Sequence, residues 1–199
     1  MKTILNLRTL KAVAIAASTE QTRYYLNGVF VQARADHAIY VATDGHRMLV
    51  CREELVLPAD FDGKPLEGDW IIPTDICNAH KVSTRGGDDL YTLELLEGGK
   101  LSLLAAGRVF LPIAGTFPDW RRVLPSLSET GTAQFNLLLL ASFAKAAAIG
   151  GWGVMPAITH AGAGNTALVR FSEDKAFGAI MPIRNPGHGD TLPAWVNAK

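Results

Sequence analysis

Thr3-Ile-Leu-Asn-Leu-Arg-Thr-Leu-Lys-Ala-Val-Ala-Ile-Ala-Ala-Ser18 reads as a short strand, Thr3 to Leu7, running directly into a helix, Leu7 to Ser18. Leu7, Leu10, Ala14 and Ala17 recur at helical spacing and are expected to face a core, while Arg8, Lys11 and Ser18 share a different face. Three β-rich runs follow, Tyr24 to Arg34, Ala38 to Thr43 and Met48 to Glu53, separated by short polar breaks. One break contains Asp44-Gly45, a tight-turn signal. The unit is therefore strand, helix and three strands, or βαβββ.

The same order returns at Asp69-Trp-Ile-Ile-Pro-Thr-Asp-Ile-Cys-Asn-Ala-His-Lys-Val82, followed by runs at Tyr91 to Leu96, Lys100 to Ala105 and Arg108 to Ile113. It begins a third time at Ala133-Gln-Phe-Asn-Leu-Leu-Leu-Leu-Ala-Ser-Phe-Ala-Lys-Ala-Ala-Ala-Ile149, with strands expected near Ala157 to His160, Thr166 to Ser172 and Ala176 to Ile183. The class is α+β, built from about three βαβββ units. Each unit carries a sheet edge that needs pairing, so two make a domain and three leave one over. The expected organisation is a domain at 1–125, a half-domain at 131–184 and an extended tail at 185–199. Pro58 to Gly68 and Pro125 to Thr132 are rich in turn-forming residues and read as connectors. In the tail, Leu192 and Trp195 are the side chains able to dock against the body of the protein.

The 199 residues, 48% of them hydrophobic and 19% charged, are enough to bury a core. Nineteen Lys and Arg balance nineteen Asp and Glu, so nucleic-acid contact must come from a local arrangement of cations. The first helix superficially looks like a secretory signal, but Arg8 and Lys11 interrupt its apolar run. No segment reaches the ~18 apolar residues of a membrane span. Two cysteines, Cys51 and Cys77, make no disulfide framework. These readings place the protein in the cytoplasm, without a membrane partner, cofactor or metal.

Three longer blocks and one shorter one carry a resemblance: Thr22-Arg-Tyr-Tyr-Leu-Asn-Gly28, Val41-Ala-Thr-Asp-Gly-His-Arg-Met48, Phe117-Pro-Asp-Trp-Arg-Arg-Val-Leu-Pro125 and Met181-Pro-Ile-Arg184. Over about residues 2 to 184 the chain resembles the bacterial β sliding clamp, the processivity subunit of the replicative DNA polymerase. The resemblance sets 1–125 on that family's central domain and 131–184 on the second half of its C-terminal domain. It implies the DNA-clamp architecture and a non-enzymatic role in replication or repair. In the family, six domains form a ring whose helices line a channel around duplex DNA. Such a ring holds DNA by topology, which suits a chain of zero net charge.

By motif position the family's peptide pocket maps to Leu26, Thr43, Gly45, His46, Arg47, Met48, Pro118, Arg122, Val123, Ile180 and Met181. Expected partners are peptides of polymerases or repair factors, with Leu26, Met48, Val123 and Met181 supplying an apolar floor. The plain alternative is that these residues pack one domain on the next. Arg23, Tyr24 and Tyr25 resemble a channel-side segment where Arg meets phosphate and an aromatic stacks on a base. Arg8, Lys11, Lys81 and Lys145 lie on or beside the three helices and would face DNA, or else form an ordinary solvated surface.

Asp44, His46 and Arg47 suggest an oriented general base, but they sit on a turn without a nucleophile nearby. Cys77 and His80 have half of a zinc spacing and no second pair. Gly162-Ala-Gly164 lacks a full dinucleotide fingerprint and reads as a hairpin loop. A DNA-cutting enzyme would need a carboxylate cluster that is not seen.

The lone half-domain is expected to expose an edge and a helix face carrying Leu137, Leu138, Leu140 and Phe143, covered by a second copy of the chain. Two chains would then supply three domains, and four would close a six-domain ring. The rival reading is an adaptor or decoy that captures clamp-binding peptides without loading on DNA.

Overall fold

A computed structural model describes residues 1–55, 61, 65–79, 81–82, 89–103, 107–124, 133–160 and 164–183. The connector at 125–132, Arg184, His80 and the tail at 185–199 lie outside the described residues.

Strands β1 (Lys2–Asn6), β2 (Gly28–Ala33), β3 (His37–Thr43), β4 (Arg47–Glu54), β5 (Gly68–Pro73), β6 (Leu90–Leu95), β7 (Leu101–Leu103), β8 (Arg108–Phe110), β9 (Ala157–Thr159), β10 (Ala167–Arg170) and β11 (Ala176–Ile180) accompany helices α1 (Leu7–Val13), α2 (Thr74–Asn78) and α3 (Leu137–Gly150). One sheet has the order β1-β6-β7-β8; the other runs β5-β2-β3-β4-β11-β10-β9. All the pairings between named strands are antiparallel.

The first two units complete each other reciprocally. The first strand of each pairs with the second strand of the other: β1 with β6, and β5 with β2. The third unit continues the larger sheet through β11 on β4, Ala179 opposite Met48. Lys175 Nζ reinforces that seam by approaching Glu53 Oε1 at 3.3 Å.

Over its central strands the larger sheet is covered on both faces, and its period of two divides the core. Val29, Val31, Ala38, Tyr40, Ala42, Leu49, Cys51 and Ile180 belong to the cluster on the helix side. Val41, Met48, Val50, Ile71 and Ala179 belong to a second cluster with Leu26, Phe117 and Trp120. On the helix side, α3 buries Phe143, Ala146, Ala147 and Gly150, spacing that keeps one stripe toward α1 and the sheet. Leu140 packs against the same core, whereas Leu137 and Leu138 are exposed, so the expected four-residue open face is reduced to those two.

Two asparagines start the longer helices. The Asn6 side chain accepts from the backbone N–H of Arg8 and Thr9, and the Asn136 side chain from that of Leu138. Gly151, at φ 71°, ends α3 in the left-handed conformation that glycine adopts without a Cβ clash.

Several expectations are corrected. The first α-helix stops at Val13 and tightens into a 3-10 turn over Ala14–Ala16, where Arg47 Nη2 donates to the Ile15 carbonyl at 2.9 Å. Ser18 is buried, not solvated. Tyr24 to Leu26 form part of a 3-10 segment, Gln21–Leu26, ahead of β2. Residues 133–136 form no strand: the Gln134 carbonyl accepts from the Ile183 N–H at 2.8 Å, but among the described residues no strand pairs with this segment in a ladder. Among the described residues, no helix is long and apolar enough to cross a membrane.

Candidate functional site

The β3–β4 turn forms one wall of a groove. Gly45, at φ 89°, allows the reversal, and Asp44 Oδ1 accepts from the N–H groups of His46 and Arg47, both at 2.9 Å. Asp44 Oδ2 also receives Arg47 Nε at 3.1 Å. This carboxylate is consumed by the turn, which accounts for the Asp44, His46 and Arg47 trio without catalysis. Thr43 Oγ1 donates to the Arg47 carbonyl at 2.7 Å and accepts from the Gly45 N–H at 3.0 Å. The Met181 N–H donates to the His46 carbonyl at 2.8 Å, tying the end of β11 to this turn.

The opposite wall is the segment 117–123, laid across the sheet face turned away from the helices. Phe117 stacks on Phe30 with centroids 4.8 Å apart and planes 6° apart. Trp120 approaches Phe177 at 6.4 Å, and Arg121 covers its ring with the guanidinium carbon 4.1 Å from the centroid. The Asp119 side chain starts a 3-10 turn by accepting from the Arg121 N–H.

Between the walls lies an apolar cavity of about 250 Å³. Leu26, Met48 and Ala179 form its floor, Phe117, Pro118, Trp120, Val123 and Met181 its sides, and Arg23, Tyr25, Thr43, His46 and Arg47 its polar rim. Arg23 is held on the rim by a two-pronged contact with Glu20, at 2.8 and 2.9 Å. The guanidinium also keeps the Glu20 carboxyl below its ordinary range.

Of the residues assigned to a peptide groove, Leu26, Thr43, Gly45, His46, Arg47, Met48, Pro118, Val123 and Met181 line this cavity; Arg122 and Ile180 do not. Ile180 is fully buried on the helix side because it is one residue out of phase with Ala179 and Met181, while Arg122 is exposed outside the cavity. Sequence reasoning missed Phe117, Asp119, Trp120, Thr166 and Ala179. The first three lie inside the quoted Phe117–Pro125 block, so that signal was present.

The proposed DNA residues separate. Arg23 and Tyr25 line the groove. Tyr24 is exposed and makes an edge contact with Tyr25 at 5.8 Å. Arg8 is not a free surface cation: its side chain is 11% exposed, pairs with Asp89 at 3.2 Å and donates to the Ile149 carbonyl at 3.1 Å. Lys11 is half-buried on α1, whereas Lys81 and Lys145 are exposed.

Cys77 is buried and donates to the Ile72 carbonyl at 3.6 Å. Among the described residues, no three His, Cys, Asp or Glu side chains gather as metal ligands.

Residues 3–110 match the family model of the DNA polymerase III beta subunit, central domain. A beta sliding clamp of Escherichia coli K12 is 28% identical over 153 residues, covering 70% of this chain and 37% of the relative. The corresponding protein of Caulobacter vibrioides is 29% identical over 123 residues, covering 60% and 32%. The chain thus spans about a third of the length of these curated relatives. Among solved structures, the DNA polymerase III beta chain of Streptococcus pneumoniae superposes with a TM-score of 0.71 at 17% identity, covering 93% of this chain and 65% of that one. A sliding clamp of Bartonella birtlesii, solved bound to griselimycin, gives 0.62 at 21% identity, covering 92% and 66%. The fold is that of the DNA clamps.

Proposed function

Because the chain belongs to the family of DNA polymerase III beta subunits, we propose that it is a non-catalytic clamp-type protein of DNA replication or repair that receives partner peptides in the groove between the β3–β4 turn and the 117–123 segment. One observation carries this reading: three separate sequence blocks and the end of β11 converge on a single apolar cavity with a polar rim. Such a site suits a short extended peptide, whose large apolar side chains enter the floor while Arg23, Thr43 and His46 set its direction.

The groove opens on one face of the larger sheet, and the helices cover the other. Duplex DNA belongs on the helix side, where exposed Lys145 stands on α3 and exposed Lys81 follows α2. Zero net charge favours loose, salt-sensitive phosphate contact and retention by an assembly of several copies, not tight binding by one.

The test is a fluorescence-anisotropy titration with the clamp-contacting peptide of a replicative polymerase. The expected dissociation constant is about 1–100 μM, and Val123→Asp, at a half-exposed groove residue, weakens it at least about tenfold. No binding by the unsubstituted protein, or unchanged binding by V123D, overturns the reading.

A further inference from the structure

We infer that the third unit is completed by the third unit of a second copy of this chain, through the same reciprocal strand exchange that joins the first two units. The first domain supplies the template. Its helices and strand ends fix which residues of the third unit correspond to which of the first two.

Asn6 and Asn136 both cap a helix with their side chains, so Thr3, Ile4, Leu7 and Arg8 correspond to Ala133, Gln134, Leu137 and Leu138. Phe110-Leu-Pro-Ile113 corresponds to Ile180-Met-Pro-Ile183. In support, the Ile113 N–H donates to the Ile71 carbonyl at 2.9 Å, just as the Ile183 N–H donates to the Gln134 carbonyl at 2.8 Å. The ladders β6-β7-β8 and β9-β10-β11 then equate Leu93 with Ile158, Thr92 with Ala157 and Asp89 with Val154.

In the first domain, Thr3 stands opposite Leu93 and Ile4 opposite Thr92. The corresponding register between copies sets Ala133 opposite Ile158 and Gln134 opposite Ala157, twice, about a two-fold axis. The Leu7 N–H donates to the Asp89 carbonyl at 2.8 Å, which assigns the Leu137 N–H to the second copy's Val154 carbonyl.

Exposure follows this correspondence. Leu7 is 3% and Leu93 0% exposed where the partner unit is present; Leu137 is 78% and Ile158 40% exposed where it is not. The Arg8–Asp89 ion pair across the first interface maps to Leu138 and Val154, which are 80% and 57% exposed. An ionic contact in one interface is thus replaced by an apolar contact in the other. Apolar residues at both ends of the same predicted contact are what a second copy would cover. Pairing also removes the open edge of β9 and converts residues 133–136 into a strand.

The experiment is sedimentation equilibrium on the full chain and on three variants. The unsubstituted protein is expected at twice the chain mass. Leu138→Arg and Val154→Asp each alter an exposed residue and each weaken self-association at least about tenfold. The double variant L138R/V154D restores an Arg–Asp pair like Arg8–Asp89 and returns the constant to within about threefold of the original. A single-chain mass up to about 100 μM, unchanged association in the single variants, or no recovery in the double variant overturns the inference. Peptide affinity measured on the same samples reports on the groove separately, because none of the substituted residues lines it.

Discussion

Phe143 of α3 lies so close over Gly178 of β11 that a Cβ built on the glycine would stand 2.4 Å from the Phe143 ring carbon Cε1. The missing side chain is what lets α3 settle on the sheet. Gly178→Ala is therefore expected to cost about 1–3 kcal/mol through overpacking. This would appear as a fall of about 2–12 °C in the thermal unfolding midpoint. An unchanged midpoint would show that α3 does not seat there.

Arg8 joins three units: it sits in the first, pairs with Asp89 of the second and donates to the Ile149 carbonyl near the end of α3 in the third. Arg8→Met keeps much of the stem but removes the charge. A loss of about 2–4 kcal/mol in urea unfolding is expected, since the pair is largely shielded from water. A surface DNA contact would instead change DNA affinity with little effect on stability.

Burial pushes the thiols of Cys51 and Cys77 well above the ordinary cysteine range, and Glu53 adds to the effect at Cys51. Above pH about 8.5 the unfolded chain sheds thiol protons that the folded chain keeps. Stability is therefore expected to be undiminished by these groups below that pH and to fall as pH rises beyond it, by about 1.4 kcal/mol per pH unit for each thiol. Urea midpoints between pH 7.5 and 10 check this, and Cys77→Ala should remove about half of the thiol-dependent slope.

Asp44 holds the groove turn by accepting from two backbone N–H groups and the Arg47 side chain. Asp44→Ala is expected to cost about 1–2 kcal/mol and to weaken peptide binding severalfold by loosening His46 and Met48. If a peptide titration shows no loss while stability falls, the turn is structural but does not shape the site.

The three-unit pattern was legible because its strands alternate and its helices carry apolar residues at helical spacing. Strand positions were recovered to within a few residues at β3, β4, β6 and β10. Tyr24 to Leu26 were misread as strand because tyrosines favour strands, a preference that the local 3-10 turn overrides here. Arg8 was misread because a cation on an amphipathic helix looks solvated until the layer covering it is known.

By itself, the sequence determined the repeat and the α+β class, because turn chemistry and hydrophobic period are local properties; most of the groove's walls were legible only through the resemblance of its quoted blocks to a known family. Only the tertiary structure decided that Ile180 faces the helices while Ala179 lines the groove, that Arg23 and Tyr25 stand on its rim, and that Arg8 is locked between units. Those facts depend on strand register and on contacts across more than eighty residues of chain, as between Arg8 and Asp89. Local propensity cannot encode such distances, because the same residue is core or surface according to what the fold brings against it.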